Sequence, residues 1–323
     1  MLGHDDINVN AELTSDSQKG CTPLHLAAQN GHTECLEALL KQNDIIFNIQ
    51  DEKGFAPLHW AAQNGHIECI EMFLVMPDLN INAQTNEGDT AYYLAAKYGH
   101  KEYVELVAQQ KGFDINPKAD DGFSELHLAA SIEELDRIKA ILGPCTVDIN
   151  LPDNNGSTPL SWASRNGKTK SIELLLSRKD VDVNARDAGG MTPLHFASRE
   201  GKHECVTLLL QHPDIMVNIQ DDSGKTALHL AIQNKHRDCI TQLLGNEGIN
   251  VNLPDNSGST ALHIAVLNYD NYCLHLLLNA SGLDVTAKNN DDKTALQIAQ
   301  DLSDHEEDNE HIIKLLKKHG ARK

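Results

Sequence analysis

Apolar residues recur along this chain in short bursts of two kinds, and the two kinds alternate. The first is Ala-rich, as in "TPLHLAAQN" from Thr22 and "APLHWAAQN" from Ala56. The second carries an i, i+1, i+4, i+5 stripe, as in Cys35, Leu36, Leu39 and Leu40. Both patterns have helical spacing. Between them stands a glycine (Gly31, Gly65, Gly99, Gly167, Gly201), and before each Ala-rich burst lies a polar cluster ending in glycine, such as "NIQDEKG" or "NLPDNNG". That is turn chemistry, with Gly supplying positive φ. Thr or Ser two residues after the glycine, followed by Pro, predicts an N-cap with proline at the first helical position. The sequence therefore predicts a turn, a short helix, a break and a second short helix. Neither helix is long enough to hold alone, so each needs its neighbours' apolar faces.

The unit repeats without a slip in register. Stepping by 34 from Thr22 gives Ala56, Thr90, Ser124, Thr158, Thr192, Thr226, Thr260 and Thr294, nine units in all. Gly20 to Gly258 form a second column, and Leu39, Phe73, Val107, Ile141, Leu175, Leu209, Leu243 and Leu277 a third. One fixed period over the chain means a solenoid rather than separate globular domains.

These residues resemble the ankyrin repeat. The family's pattern is visible in "DEKGFAPLHWAAQNGHIECIEMFL" and in "VDVNARDAGGMTPLHFASREGKHECVTLLL", and the resemblance covers about residues 6–320. It implies an all-α, ankyrin-repeat solenoid of stacked helix-turn-helix units with β-turn fingers. The expected organisation is a cap or remnant of an earlier repeat at 1–20, one repeat domain over 20–320 whose ninth unit is a degenerate cap, and a tail at 321–323. The usual ankyrin period is 33. Here the additional residue lies after the second helix ("LLSRKDVDVN", "LLQHPDIMVN"), which predicts a longer loop on the convex side. The fourth unit has Glu133 and Glu134 where others have Gly-His, so a different inter-helix turn is expected there, with Leu135, Ile138 and Leu142 keeping its second helix buried. The ninth carries an acidic insertion, "DHEEDNE".

Composition narrows the function. Of 323 residues only 4% are aromatic, and the formal charge is −20, which disfavours nucleic acid and anionic lipid as partners. The charge is uneven: residues 1–150 hold 9 Lys and Arg against 24 Asp and Glu, whereas residues 151–200 hold 7 against 6. No apolar run approaches the length of a membrane span, and "MLGHDDINVN" has no secretory pattern. Of the seven cysteines, Cys35, Cys69, Cys205, Cys239 and Cys273 share one column, which reads as free, small apolar residues in a reducing compartment. A cytoplasmic location is expected, or a host cytosol if the protein is a microbial effector.

The candidate chemistry is sparse. His32 with Cys35 and His66 with Cys69 would give two zinc ligands per helix, short of the four that tetrahedral zinc needs, and no metal or other cofactor is expected. The "TPLH" histidines (His25, His59, His127, His195, His229, His263) recur in register, as a structural hydrogen bond would and a catalytic base would not. No nucleophile–base pair or phosphate loop stands out, so an enzyme is not expected. Asn150 and Asn184 resemble ankyrin asparagines that a hydroxylase modifies.

What remains is binding. By resemblance, the positions free to specify a partner are the turn tips, the residue before the "TPLH" Thr and the two after "AA". Large groups there are Phe55, Tyr98, Phe123, Arg165, Met191, Arg199 and Leu267, a concave groove expected to be apolar and acidic early and cationic in the middle. Trp60 and Trp162 are read mainly as inter-repeat packing. The expected function is that of a monomeric protein–protein interaction scaffold holding another protein or an extended peptide. The alternative is the targeting region of a larger protein, such as a ligase adaptor, a channel's cytosolic region or a secreted effector.

Overall fold

A computed structural model describes residues 8–14, 18–107, 110, 113–114, 116, 118, 122–143, 147–302 and 306–321. Asp5 to Ile7 of the N-terminal segment, Cys145, the front of the acidic insertion (304–305) and the last two residues of the tail lie outside them. The described residues hold eighteen helices and three isolated antiparallel bridges.

By its packing the chain divides into two compact units, residues 1–117 with 139–147, and residues 118–138 with 148–323. In the first unit, inner helices α1 (Pro23–Asn30), α3 (Pro57–Asn64) and α5 (Ala91–Tyr98) lie side by side. They are backed by outer helices α2 (Thr33–Leu40), α4 (Ile67–Leu74) and α6 (Lys101–Val107). The second unit repeats the scheme with inner helices α7 (Glu125–Ile132), α9 (Pro159–Asn166), α11 (Pro193–Arg199), α13 (Ala227–Gln233), α15 (Ala261–Leu267) and α17 (Ala295–Asp301). Its outer row contains α10 (Thr169–Leu176), α12 (His203–Leu210), α14 (Arg237–Leu244), α16 (Asn271–Leu278) and α18 (Glu306–Lys318). Helix α8 (Leu135–Leu142) contributes residues to both units.

The core is the aliphatic set that the columns predict. In the first unit Leu24, Leu58, Ile70 and Phe73 are closed off from water, together with the small Ala27, Ala28, Ala61 and Ala62 that let inner helices approach. In the second, Leu160, Leu194, Leu228 and Leu262 do the same against Ile172, Val206, Ile240 and Leu274. Each such side chain contributes about 1.5–3 kcal/mol on leaving water. Cys69, Cys205, Cys239 and Cys273 are buried as the column implies, whereas Cys35 in the first outer helix is exposed. Burial raises the thiols of Cys205 and Cys239 to about 11, which keeps them protonated and unreactive.

Three hydrogen-bond ladders tie each repeat to the next within the units. The first runs through the "TPLH" histidines. Thr22 N–H donates to His25 Nδ1 at 3.0 Å, so the neutral ring carries its proton on Nε2, which donates to Phe55 O at 2.9 Å. His59 does the same between Ala56 and Ala83 O, although Ala56 has no capping hydroxyl. His127, His195 and His263 continue the pattern to Ser157, Lys225 and Lys293. The second joins the fingers: Asn86 donates its backbone N–H to Lys53 O and its side-chain amide to Glu52 O. There Gly54 (φ +78) has no room for a side chain, since a Cβ would stand 2.5 Å from Asn86 N. The third lies in loops that follow outer helices, where the sequence carries its additional residue. There the asparagine column bonds the next repeat: Asn150 Nδ2 donates to Asp180 O and its Oδ1 accepts from Asp182 N–H, and Asn184 treats Asp214 and Met216 alike.

The fourth unit departs from expectation. Glu133 adopts the same left-handed conformation (φ 66) that the glycines take, and Glu134 N–H bonds Ala129 O at 3.0 Å, as His32 N–H bonds Ala27 O at 2.9 Å. The turn is therefore conserved in shape. A side chain in that region costs about 1–2 kcal/mol, partly offset because Glu133 Oε1 accepts from Lys170 N–H at 2.9 Å. Ile138 is buried, with Leu135 and Leu142 half-buried beside it. Arg137 is also buried and bonds Glu125 at 2.6 Å, a buried pair that the apolar stripe did not announce.

Candidate partner-binding faces

The positions expected to meet a partner fall on both units. On the first, Phe55 stands at the finger tip before α3. Its ring lies 4.7 Å from Trp60 and 5.8 Å from His59, leaving it half-buried. Trp60 points its indole N–H at Asp51 Oδ2, 3.2 Å away, while Asp51 Oδ1 accepts the backbone N–H groups of Lys53 and Phe55. One carboxylate thus sets the finger and holds the indole. Beside the indole opens a cleft of about 400 Å³ lined by Gln18, Lys19, Cys21, Gln29, Asp51 and Trp60, and its rim carries the exposed pair Lys19–Glu52 at 2.7 Å. Tyr98, at the end of α5, is 53% exposed, and its hydroxyl accepts from Gln63 at 3.2 Å.

On the second unit, Phe123, Arg165, Met191 and Arg199 come together around two aromatic rings. Trp162 of α9 donates its indole N–H to Asp153 Oδ2 at 2.9 Å and receives Phe123 edge-on at 5.0 Å. The Arg165 guanidinium lies 5.3 Å from the Trp162 ring and 4.7 Å from Phe196, and that of Arg199 lies 5.3 Å from Phe196. Arg199 also reaches Met191 Sδ at 3.4 Å and Glu200 at 3.0 Å. Leu267, 48% exposed at the end of α15, takes no part in this cluster.

Sequence reasoning gave Phe196 no role and treated Trp162 as packing. Both occupy the inner-helix column that holds Leu26, Leu94, Leu128 and Leu230 elsewhere; an aromatic in that column beside an arginine three residues on was the available signal. Two histidines that stand just before outer helices also join neighbouring repeats. His66 and His100 bond Gln29 O and Gln63 O of the preceding unit at 3.1 and 2.9 Å, over Gly31 and Gly65. Among the described residues no group of three or more His, Cys, Asp or Glu is placed to hold a metal ion, and no helix is long and apolar enough to cross a membrane.

Comparison with known proteins agrees with this architecture. The family described as "Ankyrin repeats (3 copies)" matches in overlapping windows, residues 2–85, 48–119, 74–153, 126–221, 179–255 and 214–289. The chain belongs to the ankyrin repeat family. Among solved structures it is similar to an ankyrin repeat domain (ABAYE2397) from Acinetobacter baumannii AYE, with 30% identity over 61% of this chain and 98% of that one, at a TM-score of 0.55. It is also similar to the ankyrin repeat protein EF0377, with 24% identity over 62% of this chain and 99% of the other, at a TM-score of 0.54; that likeness concerns the fold alone. No curated protein matches. Ankyrin repeats are in general protein–protein interaction modules, and the fold typically serves as a non-enzymatic binding scaffold.

Proposed function

We propose that this ankyrin repeat protein is a scaffold that holds segments of another protein on the face that inner helices and finger turns make in each of its units. The observation that carries this reading is the choice of side chains where the repeat leaves the choice free. Tyr98 and Leu267 present large apolar surface to water on that face, and two arginines lie on aromatic rings there. Such groups are the common anchors of protein interfaces. A cytosolic location fits the free, mostly buried thiols.

The test compares two double variants as bait for proteins captured from cells, both first matched to wild type in helical circular dichroism. Tyr98→Ala with Leu267→Ala strips the inner-helix face. Val75→Ala with Met216→Ala strips still more exposed residues, just after α4 and in the loop after α12. The expected result is a protein retained by wild type and by the second variant and weakened at least tenfold by the first. Loss in the second variant alone would overturn the assignment of the face.

A further inference from the structure

We propose that the cluster of Phe123, Trp162, Arg165, Met191, Phe196 and Arg199 is a receptor for a short acidic segment of a partner protein, bound through its carboxylates. This rests on the scaffold reading above and names the chemistry of what the second unit holds.

The argument begins with the donors. A guanidinium has five N–H groups in a fixed plane. Arg165 makes no ion pair and no hydrogen bond through its side chain among the described residues, although it is half-buried between two rings. Arg199 directs Nε–H to Glu200 and one Nη1–H to Met191, which leaves three N–H groups. The Arg199–Glu200 pair is partly exposed, 32% and 40% by side chain. Such a pair contributes about 1 kcal/mol or less, so an arriving carboxylate can join or replace it.

The platform matters as much as the charge. Phe196 is 1% exposed, so its position is fixed by the core and cannot swing away. Trp162 is fixed by its bond to the buried Asp153. Guanidiniums stacked on immobile rings keep their forks aimed outward, and less side-chain entropy is lost on binding than for a free arginine. The apolar floor of Trp162, Phe196 and Met191 also lowers the local dielectric, strengthening each contact to an incoming anion.

Geometry and overall charge select the occupant. The two guanidinium carbons share the Phe196 ring and so lie at most about 10 Å apart, a span that about three residues of extended chain cover. In a chain of polyproline II conformation, with three residues per turn, carboxylates at positions i and i+3 lie on one side about 9 Å apart, and each can meet one arginine as a planar, two-oxygen acceptor, the geometry that guanidinium matches best. The protein as a whole carries −20, so a long polyanion such as a nucleic acid is repelled over most of its path. A short acidic stretch can sit on these arginines without meeting the rest of that charge.

The experiment is fluorescence anisotropy on the full chain at low salt. The probe is a fluorescein-labelled extended peptide of about ten residues, with glutamate at every third position and glycine and serine between. Its control has glutamine in place of glutamate. Wild type should bind the first, ignore the second and release the first as salt is raised. Arg165→Gln with Arg199→Gln should weaken binding at least tenfold, and Arg165→Lys with Arg199→Lys should fall between, since lysine keeps the charge but loses the stacked fork. Glu200→Gln removes the competing carboxylate and should tighten binding severalfold, an outcome that misfolding cannot produce. Equal binding of both peptides, or equal binding by wild type and the double glutamine variant, would overturn the proposal. So would preferential binding of a short RNA, or self-association in light scattering that the glutamine variant abolishes, which would make a second copy the occupant. If no acidic peptide binds while Tyr98→Ala with Leu267→Ala still loses its captured protein, the scaffold reading stands and this one falls.

Discussion

Trp60 and Trp162 stand 102 residues apart, three turns of the 34-residue period, and each indole donates to the aspartate that organises its own finger. Around this shared device the two units of the molecule differ. In the first, Phe55 of the same repeat covers Trp60, the position of Arg165 is taken by Gln63 and that of Phe196 by Leu94, and the indole borders a cleft with a lysine–glutamate pair on its rim. In the second, the ring that covers Trp162 comes from the preceding repeat, and the freed space is filled by Arg165 lying on Trp162 and Phe196. An identical scaffold thus presents a polar, charge-balanced cleft in one place and an unpaired cation on an aromatic floor in another. The repeat determines where side chains go, and a handful of substitutions in two columns determines what the face recognises.

The comparison can be tested hardest with acid. Burial lowers the pKa of His25 and His59 in the first unit and of His195, His229 and His263 in the second, taking His229 to about 4. A histidine neutral in the fold and protonated when unfolded stabilises the protein fully above its unfolded value, and loses that contribution as pH falls through the folded one. For His229 the shift amounts to about 3 kcal/mol, lost between about pH 6.5 and pH 4. Urea denaturation at pH 7 and at pH 4.5 should therefore show a large drop in midpoint, and hydrogen exchange should find α13 and α15 of the second unit opening before α1 and α3 of the first. Uniform opening would remove the asymmetry.

A smaller effect separates the two tryptophans. Trp162→Phe takes the indole donor from the buried Asp153 Oδ2, at about 1–3 kcal/mol, whereas after Trp60→Phe the Asp51 Oδ2 still accepts from the Cys21 thiol at 3.6 Å. Trp162 has the shorter bond, 2.9 against 3.2 Å, and carries Phe123 and Arg165 as well. Chemical denaturation should show Trp162→Phe costing about 1 kcal/mol more than Trp60→Phe, and equal losses would show that the added stacking contributes nothing to stability. The smallest effect concerns the turns. The first unit places Gly31, Gly65 and Gly99 at its inter-helix breaks, whereas the second uses Glu133, Lys235 and Tyr269 at three of its own, all at positive φ. Lys235→Gly should raise stability by about 0.5–1 kcal/mol, read as a shift of about 1–2 °C in Tm for a chain of this length; no change would mean that the lysine pays nothing for its conformation.

Much of this was legible from residue spacing. Thr22, Pro23 and His25 announce a helix start, and their recurrence every 34 residues announces that His25 must bond something in the next unit. The exposed Tyr98 and Leu267 were found because they break columns. Phe55 and Phe123 were found for the same reason, but the fold half-buries them against tryptophans, because a ring before α3 or α7 has an indole within reach. The Glu133 turn was misjudged because residue identity reports conformational preference, while neighbouring units impose the conformation.

The sequence by itself determined the period, the helix pairs, the aliphatic core and the ankyrin family, because each is a local rule repeated in register and needs no knowledge of which residues meet. Only the tertiary structure decided which side chains of adjacent repeats share a neighbour. That Arg165 and Arg199 lie on one phenylalanine, that Asn150 closes the loop at Asp180, and that Arg137 finds Glu125 depends on distances across the stack. Those distances are set by how helices pack, and the one-dimensional pattern does not contain them.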